Sequence, residues 1–289
     1  MLLYRDEVER AVAALAADCD CLPAELQAPV AYSLGGGGKR LRGMLVIAAY
    51  RAAGGQGDAS GLAAAVEVIH SYSLVHDDLP CMDDDDTRRG RPSTHRAFTV
   101  SSATTSGAAM IPLAAGVAYR SALALRLPAS VCCTIVKVLM QGAGAGGMIG
   151  GQLMDLDAEG QSLDRDALDA IHAAKTGALI VASVEVGGLA AMARAEQVEA
   201  LATYGRSIGL AFQIMDDVLD VTSSADALGK AVGRDAVLGK STYPGLLGVD
   251  GATKRAARLV EDGCQALRNG GLLTIELESL AGYMVSRSH

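Results

Sequence analysis

Short glycine-containing breaks constrain this chain most. They fall at Gly35 to Gly38, Gly54 to Gly57, Gly160, Gly187 to Gly188 and Gly248 to Gly251. The segments between them are mostly roughly 12 to 30 residues long, the length of bundle helices. Alanine, the strongest helix former, is abundant, while tryptophan is absent and phenylalanine occurs only 2 times, so strand-favouring residues are nowhere concentrated. The expectation is an all-α chain, a single domain over residues 1–289, built as a bundle of roughly ten antiparallel helices. Segment 141–152, QGAGAGGMIGGQ, carries glycines that each cost about 1 kcal/mol against alanine in a helix. It reads as a helix nonetheless, with the missing side chains admitting another backbone or a ligand.

The formal net charge of −8 argues against a nucleic-acid binder, which usually shows a basic face. It leaves room for an anionic substrate held by a few Lys and Arg, or by carboxylates through a metal. The first residues, MLLYRDEVER, are charged and lack the apolar core of a signal peptide. The long apolar runs are broken by Lys137 and Gln141 in one and Glu185 in another, which argues against a transmembrane segment. Cysteines 19, 21, 81, 132, 133 and 264 form no CxxC pair, and reduced thiols in a cytoplasmic protein are expected.

Two acidic clusters carry the chemistry: HDDLPCMDDDDTRRGR at 76–91 and QIMDDVLDV at 213–221. In the second, Asp216 and Asp220 lie about 40° apart on one helix face. Carboxylates that close repel and are costly to bury alone, and a hard divalent cation answers both problems. In the first, Asp77 and Asp83 would sit roughly 240° apart on a continuous helix. Pro80 breaks it, and a turn there brings Asp83 back beside Asp77. Arg88 and Arg89 follow at once as a diphosphate clamp, and His70 lies seven residues before Asp77, on nearly the same face. The run Asp84 to Asp86 reads as solvated surface. An EF-hand lacks its ligand spacing and central glycine.

These motifs, in this order, resemble the trans-isoprenyl diphosphate synthases, the polyprenyl synthetases. GGKRLRG at 37–43, GGQLMDL at 150–156, KTGAL at 175–179 and LGKAVGRDAVLGKSTYP at 228–244 match as well, with Gly43 where proline is usual. The resemblance implies antiparallel helices around a deep central cavity, a homodimer, and three magnesium ions held between the two aspartate motifs. By position, Asp77, Asp83 and Asp216 would be the principal ligands, supported by Asp78, Asp217 and Asp220. Lys39, Arg42, His70 and Arg89, with the backbone of Gly38, would hold isopentenyl diphosphate. Arg88, Lys175, Lys230 and Lys240 would face the allylic diphosphate, and Thr176 and Gln213 the carbocation.

The chemistry those roles serve is electrostatic. Cleavage of the carbon–oxygen bond leaves a diphosphate and an allylic cation, and cations in the site stabilise the departing charge. The double bond of isopentenyl diphosphate attacks, the diphosphate takes the last proton, and an apolar pocket keeps water out. In the family, residues just before the first motif set the pocket floor. Here these are Tyr72 and Ser73, and five helical residues place Tyr72 about 7.5 Å below the metals. That pattern is similar to bacterial farnesyl diphosphate synthases, with geranylgeranyl diphosphate the alternative product. At 99–110, TVSSATTSGAAM puts Ala108 where the family has an aspartate, and lowered stability or an adjusted pocket is expected. A class I terpene cyclase would need no second-substrate site, and a silent partner subunit would lose one aspartate motif; GGKRLRG and both motifs are present here.

Overall fold

The computed structural model describes residues 4–222 and 241–286. The chain groups into two compact units, one of Leu2–Met140 with Glu185–Ala193, the other of Gln141–Val184 with Arg194–His289. The protein is all-α, 76% helical.

The first unit holds α1 (Arg5–Ala17), α2 (Ala24–Leu34), α3 (Leu41–Ala52), α4 (Ser60–Asp77), a hairpin of β1 (Thr87–Arg88) and β2 (Arg91–Pro92), α5 (Thr94–Ala97), α6 (Val100–Ala124) and most of α7 (Ala129–Ala143). Helix α4 is its centre. It is buried nearly all round, from Leu62 to Val75, as a helix apolar on every face must be, and it packs against α1, α3 and α6. One buried charge, Glu67, interrupts its apolar surface at 1% exposure. It is compensated on both oxygens: Oε1 accepts the Gly43 N–H at 2.9 Å, and Arg40 stands 3.6 Å away while also donating to Glu9 at 2.7 Å. That network ties α1, α3 and α4 together and needs an N–H at position 43, which proline lacks; a Cβ there would also stand 2.6 Å from Val8 Cγ1.

The second unit holds α8 (Met148–Asp157), α9 (Arg165–His172), a π turn (Ala173–Gly177), most of α10 (Ala178–Ala190), α11 (Ala195–Thr222), α12 (Tyr243–Asn269) and α13 (Ile275–Ser286). Its core sets Ala211, Ile214, Met215 and Val218 of α11 against Tyr243, Ala252 and Ala256 of α12 and Leu168 of α9. The buried Tyr204 hydroxyl donates to the Leu277 carbonyl at 2.7 Å and docks α13.

Several breaks differ from the glycine pattern. Helix α10 runs straight through Gly187 and Gly188; a Cβ on Gly187 would stand 2.8 Å from Ala49 Cβ and 2.9 Å from Tyr50 N, so this glycine serves packing. Helix α12 is interrupted only at Gly248, where φ is 69°. Segment 141–152 is helical up to Ala143 and again from Met148, with residues 144–147 as a loop between. Three stretches, Val100–Ala124, Ala129–Asp157 and Arg165–Ala190, are long and apolar enough to cross a membrane by length and composition. Lys137, Gln141 and Glu185 therefore do not exclude a span as the sequence reading supposed.

The Ser/Thr run at 99–110 is helical because its hydroxyls are used. Thr99 caps α6 by accepting the Ser102 N–H at 3.0 Å, and Thr104 and Thr105 each donate to the carbonyl four residues back at 2.8 Å. Ala108 is exposed on α6.

Candidate active site

In the first unit, the site begins where α4 ends. The Asp83 N–H donates to the Asp77 carbonyl at 2.9 Å and the Asp84 N–H to the Leu79 carbonyl at 3.2 Å. The chain after Pro80 thus folds back and returns Asp83 to Asp77, as the proline implied. Both residues keep part of their surface open. Asp78, by contrast, is 2% exposed. It accepts from Arg88 Nε at 2.8 Å, and Asp85 accepts from Arg88 Nη2 at 3.1 Å. Burial alone would lower the Arg88 pKa, but the Asp78 hydrogen bond and the charges of Asp78, Asp85 and Asp77 outweigh it and hold it above its ordinary value.

Arg89 is placed differently. It shares the tip of the β1–β2 hairpin with Gly90, both at positive φ, as a tight two-residue turn requires. Its guanidinium donates to the Gly37 carbonyl. Gly38 sits at φ 139°, a conformation that favours glycine, with a Cβ there 2.5 Å from Arg89 Nη1. Partial desolvation, and then the charge of Arg40, lower the Arg89 pKa.

His70 lies on α4 one side-chain length away, with Nε2 3.4 Å from Arg42 Nη1. Desolvation and then the charges of Arg42, Arg89, Arg40 and Arg88 push its pKa well below the usual imidazole range. Lys39 lies in the same Gly37–Arg40 loop. Two residues beyond His70 along α4, Tyr72 is 6% exposed, its ring 3.4 Å from where a Gly107 Cβ would be and tilted against His76 with centroids 5.7 Å apart. Ser73 Oγ donates to the His70 carbonyl at 2.8 Å.

In the second unit, Lys175 and Thr176 lie in the π turn, a local widening that often accompanies functional positions. The sequence motif gave no sign of it. The widening is possible because Gly151 of α8 sits directly on Lys175, whose Cα would be 2.5 Å from a Cβ at that position. Lys175 Nζ pairs with Asp155 at 2.7 Å. Thr176 donates to Gln213 Oε1 at 2.9 Å, and Gln213 in turn donates to Asp217 at 3.5 Å. Asp217 is buried and also accepts the Tyr243 N–H at 3.0 Å, anchoring the start of α12; His172 stands 3.7 Å away. Asp216 and Asp220 are partly exposed. A recess in this unit is lined by Asp155, His172, Lys175, Gln213, Asp217 and Thr242. Lys230 and Lys240 lie outside the described residues.

Sequence reasoning missed the supports of these groups: Glu67, Asp155, His172 and Tyr243. Asp155 alone carried a signal, as an acid inside the apolar GGQLMDL segment. In both acidic motifs the aspartates supply carboxylate oxygens, the donors that magnesium prefers; Asp77, Asp83 and Asp216 are partly open, whereas Asp78 and Asp217 are buried and hydrogen-bonded.

Comparison with known proteins agrees. The polyprenyl synthetase family model matches residues 23–267. The farnesyl diphosphate synthase of Escherichia coli K12 is 44% identical over 257 residues, covering 87% of this chain and 86% of its own. Among solved structures, a geranyltransferase from Legionella pneumophila superposes with a TM-score of 0.83 at 33% identity, over 99% of this chain and 94% of that one. A geranyltransferase from Helicobacter pylori, complexed with magnesium and isoprenyl diphosphate, gives 0.81 at 28% identity, over 98% and 95%. The chain belongs to the polyprenyl synthetase family.

Proposed function

We propose that the protein condenses isopentenyl diphosphate with a dimethylallyl or geranyl diphosphate and stops at farnesyl diphosphate. The chain is a prenyl-group transferase of the short-chain trans type by its family. The observation that supports the substrate reading is the grouping of His70 with Arg42 and Arg89: His70 Nε2 lies 3.4 Å from Arg42 Nη1, and after desolvation the charges of Arg42 and Arg89 help lower its pKa, a set of donors that suits a diphosphate.

In this reading Lys39, Arg42, His70 and Arg89, with the Gly38 backbone, bind isopentenyl diphosphate. Neutral His70 donates one hydrogen bond without adding charge. Lys175 faces the allylic diphosphate, and so do Lys230 and Lys240. Arg88, already paired with Asp78 and Asp85, orders the loop that carries Asp83 as much as it binds. Thr176 and Gln213 direct oxygen atoms at the allylic cation. Asp77, Asp83 and Asp216 hold magnesium, three ions in all, which when bound supplies the charge that stabilises the departing diphosphate. Homodimerisation is supported by Tyr119 and Leu123, apolar residues exposed at 38% and 47% on neighbouring turns of α6. A cytoplasmic location is supported by six free thiols.

Tyr72, packed on Gly107, is the proposed floor of the chain pocket. Wild-type protein with magnesium, dimethylallyl diphosphate and isopentenyl diphosphate should give a C15 alcohol after dephosphorylation, read by chromatography. Tyr72→Ala should shift the main product to C20 or longer. An unchanged product length would remove Tyr72 from this role, and a hydrocarbon formed from farnesyl diphosphate alone would favour a cyclase.

A further inference from the structure

We propose that Asp84, Asp86 and His95 form a second divalent-cation site, separate from the carboxylates assigned to magnesium, for a transition ion of the manganese, cobalt or zinc class. One carboxylate oxygen from each aspartate and one ring nitrogen of His95 all lie within 4.8 Å of one another. The two aspartates are exposed, and alone they would be solvated surface.

His95 makes the difference. It is only 6% exposed. Its Nδ1 is 3.1 Å from Ser93 Oγ, while its Nε2 is buried with no hydrogen-bond partner. An orphaned buried nitrogen destabilises the fold, a cost that a bound ion would remove. Metal-bound histidines characteristically hold their other ring nitrogen in a hydrogen bond that fixes the tautomer. In the tautomer that the site requires, Ser93 Oγ accepts from Nδ1–H and the Nε2 lone pair is left for the ion. Ser93 is itself tied to the acidic loop, because its N–H donates to the Asp86 carbonyl at 2.9 Å.

Arg96 donates to Asp86 Oδ1 at 2.5 Å, with side chains 53% and 64% exposed. An ion pair that open contributes little, and it engages Oδ1 rather than Oδ2. The imidazole donor favours a borderline transition ion over magnesium, which prefers oxygen alone. Occupancy would clip the loop following Asp83 to α5. The inference does not depend on the prenyl-transfer reading.

Manganese is the probe. The full chain is saturated with Mn2+, and pulsed electron paramagnetic resonance is used to detect 14N coupling from a coordinated imidazole. The wild type should show the coupling, and it should vanish in His95→Gln and in Asp84→Asn/Asp86→Asn, whose exposed positions leave the fold undisturbed. Absence of coupling in the wild type, or its persistence in either variant, would overturn the site. Product formation by the same samples with magnesium reports separately on the prenyl-transfer reading.

Discussion

At the scale of single residues, most charged groups of this chain are defined by what they are denied. His70 is kept neutral by desolvation and by four neighbouring guanidiniums. Its folded pKa is therefore below its unfolded value, so the unfolded chain binds the proton more readily and stability falls as pH drops below about 6.5. Thermal unfolding between pH 7.5 and 5.5 should show the midpoint of the wild type decreasing more steeply than that of His70→Gln; equal slopes would contradict the assignment. Gly43 is fixed by a hydrogen bond to a buried carboxylate. Gly43→Pro, which restores the residue usual at that place in the resembling family, should cost about 1–3 kcal/mol in denaturant unfolding by orphaning one oxygen of Glu67. A neutral or stabilising result would show that Arg40 alone satisfies Glu67.

At the scale of elements, each half of the chemistry depends on a helix that ends or distorts at a set place. Helix α4 stops before Pro80, and the return of Asp83 to Asp77 follows. The π turn at Lys175 and Thr176 exists against a glycine face: α8 presents Gly151 where a side chain would strike the Lys175 backbone. Gly151→Ala should cost about 1–3 kcal/mol through overpacking and lower turnover at least tenfold by displacing Lys175 and Thr176; full activity would show that the turn tolerates the shift. These elements also show what the sequence could disclose. Proline at 80 and the i, i+4 pair Asp216 and Asp220 were legible, since both follow from backbone geometry alone. Gly187 and Gly188 misled, because glycine serves close packing as well as chain breaking. The π turn, the β1–β2 hairpin under Arg89 and the burial of Asp78 against Arg88 were hidden, because each is decided by distant partners rather than by local spacing.

At the scale of the whole molecule, the proposed function makes two aspartate motifs, more than a hundred residues apart in sequence, parts of one ionisation step. The all-α class was legible from composition and segment length. How the candidate carboxylates are held, Asp77, Asp83 and Asp216 partly open and Asp78 and Asp217 buried and hydrogen-bonded, required the structure. A cycle of Asp77→Asn, Asp216→Asn and the double variant, assayed for turnover of geranyl diphosphate with isopentenyl diphosphate and magnesium, tests the shared step directly. Groups that act as a unit are strongly non-additive. Each single change should lower kcat by about 10²-fold or more, as loss of electrostatic stabilisation does, and the double variant should be little worse than the poorer single one. Losses that multiply, or a single variant with undiminished turnover, would contradict it.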